Sequence, residues 1–172
     1  MSDRPLILTG FMGSGKSSVG KLLSQRLGLS FIDLDETLVA ATGKSINAIF
    51  AEDGEPAFRL LESACLEQVL KQGMGIISTG GGAVLKVSNR ELMAKFGVVV
   101  NLIVSLPQAL ERLATSADRP LYAGGSAPEQ LRRLMEEREP YYSEADIRID
   151  TNGKSVEAVS YTHLTLPTKR IV

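Results

Sequence analysis

Short runs of apolar, often β-branched residues alternate along the chain with longer stretches in which apolar residues recur every three to four positions. The runs are typical of buried strands, and the longer stretches are typical of amphipathic helices. This alternation predicts an α/β fold with a parallel sheet. We predict five strands, at residues 6–9, 31–33, 75–79, 98–103 and 146–150. We predict helices that begin near Lys16, Glu36, Ser45, Glu55, Ser88, Pro107 and Ala127.

Two segments interrupt this alternation and are expected to be mobile inserts. Residues 40–54 break into short pieces, and residues 115–128 are rich in glycine, serine, alanine and proline. The chain has neither internal repeats nor a long linker, and 172 residues fit one domain. We therefore predict a single domain over residues 1–159.

The end of the chain does not fit the pattern. A final helix is expected to start at residues 156–159, but three threonines and Pro167 follow, and these do not continue a helix. We interpret residues 160–172 as an atypical tail that is not native to the fold, such as a cloning or reading-frame remnant. The only histidine, His163, lies in this tail and is given no catalytic role.

Composition excludes several classes of protein. Lysine plus arginine (19) nearly balances aspartate plus glutamate (20), so no global basic field can hold a nucleic acid backbone. The one cysteine, Cys65, excludes an intramolecular disulfide and is expected to be a small core residue. No signal peptide is apparent, and the most apolar run, 98–106, is too short to span a bilayer. We expect a cytoplasmic monomer that binds neither nucleic acid nor membrane.

The most specific motif is GFMGSGKS at residues 10–17, a complete phosphate-binding loop between a predicted strand and a predicted helix. By average residue frequencies, its chance appearance in such a chain is below roughly one in a hundred. Its backbone N–H groups can surround a phosphate, Lys16 can reach the β- and γ-phosphates, and the Ser17 hydroxyl can bind Mg²⁺. The alternative is a glycine-rich turn with a solvated lysine. The residues predicted here to bind ATP are Gly13, Ser14, Gly15, Lys16, Ser17 and Ser18.

Polar or glycine residues also follow two other predicted strands. Asp33 and Asp35 end the second strand, and Gly80–Gly82 follow the third, at the sheet edge where such folds bind ligands. If the strand continues, the two carboxylates face the same side, so that one could hold Mg²⁺ through water and the other accept a proton from a hydroxyl substrate. Alternatively, Asp35 merely caps the next helix. The glycine triplet either admits a ligand close to the backbone or is only a turn.

Three arginines are candidates for anion contacts. Glu62 could pair with Arg59 and fix its guanidinium, although surface pairs of this kind usually contribute little. Arg119 lies in the 115–128 segment, from which an arginine could close over a transferring phosphate. Arg138 stands near a helix end, where it could equally be a solvated charge.

Together these segments resemble shikimate kinases over about residues 6–154. The motifs occur in order along the chain: GFMGSGKS, Asp33-x-Asp35, GExxFR ending at Arg59 with Glu62 after it, Gly80–Gly82, Arg119-Pro-Leu and Arg138-x-Pro-x-Tyr142. The resemblance implies a P-loop fold like that of nucleoside monophosphate kinases, with a five-stranded parallel sheet flanked by helices. It also implies a substrate-binding helical insert at about 34–60 and a mobile lid at about 115–128.

The same resemblance implies ATP-dependent phosphorylation of the 3-hydroxyl of shikimate, on the pathway to chorismate and aromatic amino acids. In the substrate pocket, Asp35 would contact the hydroxyls as candidate base, while Arg59 and Arg138 would clamp the carboxylate beside the backbone of Gly80, Gly81 and Gly82.

On the nucleotide side, the resemblance implies that Ser17 and Asp33 serve Mg²⁺ and that Arg119 is the lid arginine, catalytic together with Lys16 and Asp35. Arg112 matches the adenine-side arginine. The sequence departs from the family near residues 150–152, where a basic residue commonly lies beside adenine. Gly153-Lys154 stands there instead, and Lys154 is the candidate for that contact.

Other functions remain open at this point. A kinase of another small hydroxy acid, such as gluconate, should lack the combination of Asp35, Arg59 and the glycine triplet. A nucleoside monophosphate kinase is disfavoured because nothing obvious binds a second base, and a GTPase because no Asn-Lys-x-Asp motif occurs. A non-catalytic ATP-binding regulatory module would bind ATP without acceptor-dependent turnover. We expect the atypical tail to reduce stability rather than to abolish chemistry.

Overall fold

The computed structural model describes residues 4–73, 75–114 and 127–165. Within them a five-stranded sheet has the order β2-β3-β1-β4-β5, with every pair of neighbours parallel. The strands are β1 (Leu6–Gly10), β2 (Phe31–Asp33), β3 (Ile76–Ser78), β4 (Val98–Ile103) and β5 (Ile147–Asp150). The predicted α/β fold is confirmed, and all ten strand ends lie within one residue of their predicted positions.

Helices connect the strands and cover both faces of the sheet. In chain order they are α1 (Lys16–Leu27), α2 (Leu34–Thr42), α3 (Ile46–Glu52), α4 (Gly54–Lys71), α5 (Val87–Phe96), α6 (Leu106–Ala114), α7 (Ala127–Tyr142) and α8 (Val156–Thr165). A single 3₁₀ turn, Ala83–Leu85, precedes α5. Each predicted helix start lies within two residues of the observed one. None of the helices in the described residues is both long and apolar enough to cross a membrane.

The sheet is buried on both faces because its apolar side chains alternate between them. Ile7 is in register with Ile77 and Val99, and all three pack into the core under α4, α5 and α7. Leu8 and Val100 point to the other face, which α1 and α8 cover. Full burial of each such side chain contributes about 1.5–3 kcal/mol, so the two cores together fix the position of the strand ends that carry the site.

The segment between β2 and the first half of α4 has a small core of its own. Leu38 of α2, Ile49 of α3 and Phe58 of α4 are buried together, and the rings of Phe50 and Phe58 lie 4.4 Å apart. As predicted, residues 40–54 are divided among short pieces of structure. Farther along α4, Cys65 packs half-buried against the main core, and burial raises the pKa of its thiol.

The last helix differs from the prediction. α8 continues to Thr165, so the break expected after Ser160 is wrong for these residues. Threonine lowers helix stability by only about 0.7 kcal/mol, and α8 is anchored to α1 where Arg26 donates a hydrogen bond of 3.1 Å to the hydroxyl of Ser160. Residues 166–172, including Pro167, and the side chain of His163 lie outside the described residues. The non-native origin of the tail stays a prediction.

Candidate active site

The loop between β1 and α1 turns tightly around its own backbone. The φ angles are 147° at Gly10, 78° at Gly13 and 93° at Gly15. Residues other than glycine rarely adopt such positive φ angles. A Cβ on Gly10 would lie 2.5 Å from the carbonyl oxygen of Leu102 in β4, so the loop also packs directly on the next strand. Gly15 is the residue before α1, and the first N–H groups of that helix face the loop without intrahelical partners. They are available to a phosphate.

The side chains of this loop are arranged around the same space. The Lys16 ammonium donates hydrogen bonds to the carbonyl oxygens of Gly10 at 2.8 Å and Phe11 at 3.1 Å. The hydroxyl of Ser14 is buried and has no hydrogen-bond partner among the described residues, whereas Ser18 lines the mouth of the cleft. The predicted phosphate-binding residues are therefore brought together, with Lys16 held over the loop until an anion competes for it.

Beside the loop, three oxygen-bearing side chains converge from three different strands and helices. The Ser17 hydroxyl donates to Oδ2 of Asp33 at 2.5 Å and lies 3.3 Å from the hydroxyl of Ser78. The sequence analysis did not include Ser78 among the site residues. Its position at the end of β3, directly before Thr79 and the glycine triplet, could have indicated that it lies at the site. No cluster of three histidine, cysteine, aspartate or glutamate side chains occurs in the described parts of the chain. A metal ion here would need hydroxyl, water and phosphate oxygens as well.

The local structure at Asp33 corrects one expectation. β2 ends at Asp33 and α2 starts at Leu34, so the two carboxylates do not share a face of a continued strand. Asp33, not Asp35, caps the helix: its Oδ1 accepts hydrogen bonds from the backbone N–H groups of Asp35 at 3.0 Å and Glu36 at 3.3 Å. Both aspartates nevertheless line one cleft of about 580 Å³, together with the residues of the phosphate loop.

Next to this cleft, the glycine triplet makes room for charged side chains. A Cβ on Gly80 would lie 2.7 Å from Oε1 of Glu62 and 3.2 Å from Oδ1 of Asp35. A Cβ on Gly82 would overlap the guanidinium of Arg59, 2.6 Å from its Cζ. The triplet is thus more than a turn, because any side chain at these two positions would displace the groups predicted to bind substrate.

Arg59 is held in place by glutamates on its own helix. It donates to Oε2 of Glu62 at 2.7 Å and to Oε1 of Glu55 at 3.1 Å. Glu62 is only 1% exposed, so the interpretation of the pair as a weak surface contact is wrong. Burial raises the pKa of Glu62, and the positive charge of Arg59 opposes that rise. The other carboxylate oxygen of Glu62 is buried without a hydrogen-bond partner among the described residues.

Arg138 comes from α7 and closes the opposite side of the triplet. A Cβ on Gly81 would lie 3.5 Å from its Nη1, and its guanidinium stands 5.9 Å over the ring of Phe11. Arg138 is 7% exposed and its buried Nε has no partner among the described residues, so it is not a solvated charge at a helix end. Because an unsatisfied buried donor is costly, this arginine is a candidate for contact with an anionic ligand.

Arg112 and Lys154, the two residues predicted to contact adenine, differ in their position relative to the cleft. Arg112 of α6 donates to the carbonyl oxygens of Gly13 at 2.8 Å and Thr151 at 3.2 Å, and so links the phosphate loop to the turn after β5. Lys154 instead donates to the Asp150 carbonyl at 2.8 Å and does not line the cleft. Its contact with adenine stays a prediction. The predicted lid arginine, Arg119, lies outside the described residues, as does most of the 115–128 segment.

The fold and the cleft first define a class of protein. A phosphate-binding loop on the central strand, with Arg59 and Arg138 beside the glycine triplet that follows the next strand, is the arrangement of a P-loop kinase. A sequence profile of the shikimate kinase family matches residues 12–166. The chain belongs to the shikimate kinase family and is therefore an ATP-dependent small-molecule kinase, as its motifs predicted.

Individual shikimate kinases are similar to this chain over most of their length. The shikimate kinase of Geobacter metallireducens is 50% identical over 158 residues, which cover 92% of this chain and 88% of the relative. That of Geobacter sulfurreducens is 49% identical, with 91% and 86% covered. The structure of shikimate kinase from Acinetobacter baumannii in complex with shikimate superposes with a TM-score of 0.91 at 32% identity, over 97% of this chain and 94% of that chain.

Proposed function

We propose that the chain transfers the γ-phosphoryl group of ATP to the 3-hydroxyl of shikimate, on the pathway to chorismate and aromatic amino acids. The observation that carries this proposal is the position of Asp35, Arg59 and Arg138 around the glycine triplet, directly beside the phosphate loop. The Acinetobacter structure, which includes shikimate, supports the same substrate for a relative of this fold.

Substrate recognition follows from the two arginines. Planar guanidinium groups bind a carboxylate through paired, charge-assisted hydrogen bonds, which a flexible lysine does not reproduce. Arg59 is oriented in advance by Glu62, and the buried Nε of Arg138 is available to a ligand oxygen. The carboxylate of shikimate would accept hydrogen bonds from both arginines, and the backbone of Gly80–Gly82 would lie along the ring of the substrate.

The transfer itself needs positioning and neutralisation of charge more than covalent catalysis. The substrate hydroxyl oxygen attacks the γ-phosphorus, the bond from that phosphorus to the bridging oxygen breaks, and ADP leaves. Asp35 accepts the hydroxyl proton or orients the hydroxyl for attack. Lys16 stabilises the negative charge on the β- and γ-phosphates, and Arg119 of the proposed lid would add a second positive charge.

The residues beside the loop fit Mg²⁺ as cofactor. This ion prefers a few oxygen ligands from the protein and takes the rest from water and nucleotide phosphates. Ser17 and Asp33 supply a hydroxyl and a carboxylate oxygen within one hydrogen bond of each other. We propose that Ser17 binds the ion and Asp33 holds it through water. When bound, Mg²⁺ neutralises charge on the transferring phosphate.

The test is ADP release by the purified protein with Mg-ATP, in the presence and absence of shikimate, with gluconate in parallel. We expect turnover that depends on shikimate and falls by about 10²- to 10⁴-fold in Asp35→Asn, because the neutral amide has neither the basicity nor the negative charge of the carboxylate. ADP formed only with gluconate would move the assignment to a sugar-acid kinase. A folded protein that binds ATP but responds to neither acceptor would be the regulatory module instead. A monomeric state and a cytoplasmic location stay predictions.

A further inference from the structure

The last residue of α7, Tyr142, lies against the glycine triplet and has no part in the roles assigned above. Its hydroxyl donates a hydrogen bond of 2.6 Å to the carbonyl oxygen of Gly81, and the side chain is only 3% exposed. Burial raises the pKa of the phenol to about 12, so the hydroxyl keeps its proton at any ordinary working pH. The Tyr142 hydroxyl can therefore donate to the carbonyl of Gly81 over the whole working pH range.

This hydrogen bond also bears on Arg138. Residues four apart lie on the same face of a helix, so Tyr142 and Arg138 approach the triplet side by side. The guanidinium borders Gly81, the residue whose carbonyl Tyr142 binds. The Arg138 side chain also interacts directly with the Tyr142 hydroxyl, and this interaction opposes the rise of the tyrosine pKa that burial causes. Tyr142 therefore contacts both Gly81 and the arginine beside it.

A second set of contacts joins the same two segments. Arg90 of α5 donates to the carbonyl oxygen of Val84, just after the triplet, and to Oε2 of Glu144, just after α7, both at 2.8 Å. Its guanidinium stands 4.6 Å over the ring of Tyr141. The end of α7 and the loop after β3 are thus joined by two sets of contacts, of which the Tyr142 hydrogen bond is the one made to the glycine triplet itself.

We propose that Tyr142 is a positioning residue for recognition of the substrate carboxylate. Through its hydrogen bond to Gly81, Tyr142 holds the Arg138 guanidinium at a fixed distance from the glycine triplet. One substrate carboxylate can then contact the guanidinium and the triplet backbone together. The inference rests on the proposed function, since it assumes that an anionic hydroxy acid occupies this pocket. Tyr142 acts through Arg138 and Gly81 and takes no part in phosphoryl transfer.

The first test is Tyr142→Phe, which removes the hydroxyl and keeps the ring. We expect the KM for shikimate to rise about tenfold, equivalent to about 1.4 kcal/mol, with kcat and the KM for ATP unchanged. The matched control is Tyr141→Phe, which removes the same atom from the neighbouring residue and should leave all three constants unchanged. Melting temperatures of both variants show whether they are folded.

A double-mutant cycle with Arg138→Lys tests whether Tyr142 acts through the arginine. With lysine at position 138, Tyr142→Phe should change the KM for shikimate by less than about twofold, since coupled residues are not additive. An unchanged KM in Tyr142→Phe, an equal rise in the KM for ATP, or a full effect in the Arg138→Lys background would overturn the inference. If the wild-type protein itself shows no shikimate-dependent turnover, the proposed function fails and this inference fails with it.

Discussion

At the scale of single residues, the substrate pocket depends on buried charges that hold one another. Glu62 and Arg59 form an ion pair at 2.7 Å in which the glutamate is almost completely removed from water. The removal of charges from water is costly, and such a pair contributes to stability only when its geometry is good. Its value to the protein is the orientation of Arg59, whose two terminal nitrogens lie against Gly82.

The buried position of Glu62 predicts a specific dependence of stability on pH. Burial raises the pKa of this carboxyl above its ordinary value of 4.5, so the folded state holds the proton more tightly than the unfolded state. Stability linked to this group is therefore greatest below pH 4.5 and is lost as the pH rises through the folded-state pKa. Glu62→Gln cannot ionise and should not show this loss.

Thermal melts from about pH 4 to about pH 8 measure the effect. The melting temperature of wild type, relative to that of Glu62→Gln, should fall as the pH rises. A constant difference, or one that grows in favour of wild type, would show that the carboxylate is not destabilised by burial. Glu67→Gln is a suitable control, because Glu67 is exposed on the same helix and pairs with Lys71 at the surface, which lowers its pKa rather than raising it.

At the scale of secondary-structure elements, the loop after β3 works through the absence of side chains. Gly82 has a φ of −96°, which any residue can adopt, so backbone strain does not explain why glycine stands there. The explanation is the guanidinium of Arg59, which occupies the space of a Cβ. The loop after β3 therefore leaves room for the observed position of Arg59 on α4 only when residue 82 is glycine.

Gly82→Ala should displace the guanidinium of Arg59 and so weaken its ion pair with the buried Glu62, which costs some stability as well. We expect the KM for shikimate to rise about tenfold or more, because a charge-assisted contact with the carboxylate is weakened, while the KM for ATP is unchanged. Steady-state kinetics and a thermal melt of the same preparation measure both quantities.

Gly28→Ala is the matched control for this substitution. Gly28 ends α1 with a φ of 65°, at the end of the helix away from the phosphate loop. A Cβ on Gly28 would meet none of the described residues within 4 Å. Alanine there should lower stability by about 1–2 kcal/mol through backbone strain and leave the KM for shikimate unchanged. If Gly82→Ala behaves in the same way, the glycine serves only the fold.

Element boundaries show where reasoning from the sequence was sufficient and where it was not. Apolar runs located the inner strands β1, β3 and β4 because a strand buried on both faces needs such a run. The edge strands β2 and β5 are only partly buried, and their shorter patterns were still sufficient to locate them. The start of α2 was placed two residues too late because Asp33 both ends β2 and caps the helix, and only the structure shows which carboxylate makes the cap. The length of α8 was underestimated because its contact with α1 is not visible in the local sequence.

At the scale of the whole molecule, strand order explains why distant motifs form one site. β1 lies between β3 and β4, so the phosphate loop after β1 adjoins the glycine triplet after β3, and Asp33 at the end of β2 reaches Ser17. Parallel strands place all their carboxyl ends at one edge, which made this grouping predictable from the sequence. The burial of Arg138 was not predictable, since it depends on how α7 packs across the sheet.

The central claim is that this site phosphorylates the 3-hydroxyl of shikimate. The most direct measurement is NMR of the product formed from shikimate and Mg-ATP by the purified chain. We predict one phosphate ester per ADP released, with the phosphorus coupled to the proton on the carbon that bears the 3-hydroxyl. A phosphate on another hydroxyl would contradict the proposed orientation of substrate against Asp35, and release of inorganic phosphate alone would contradict the assignment as a kinase of shikimate.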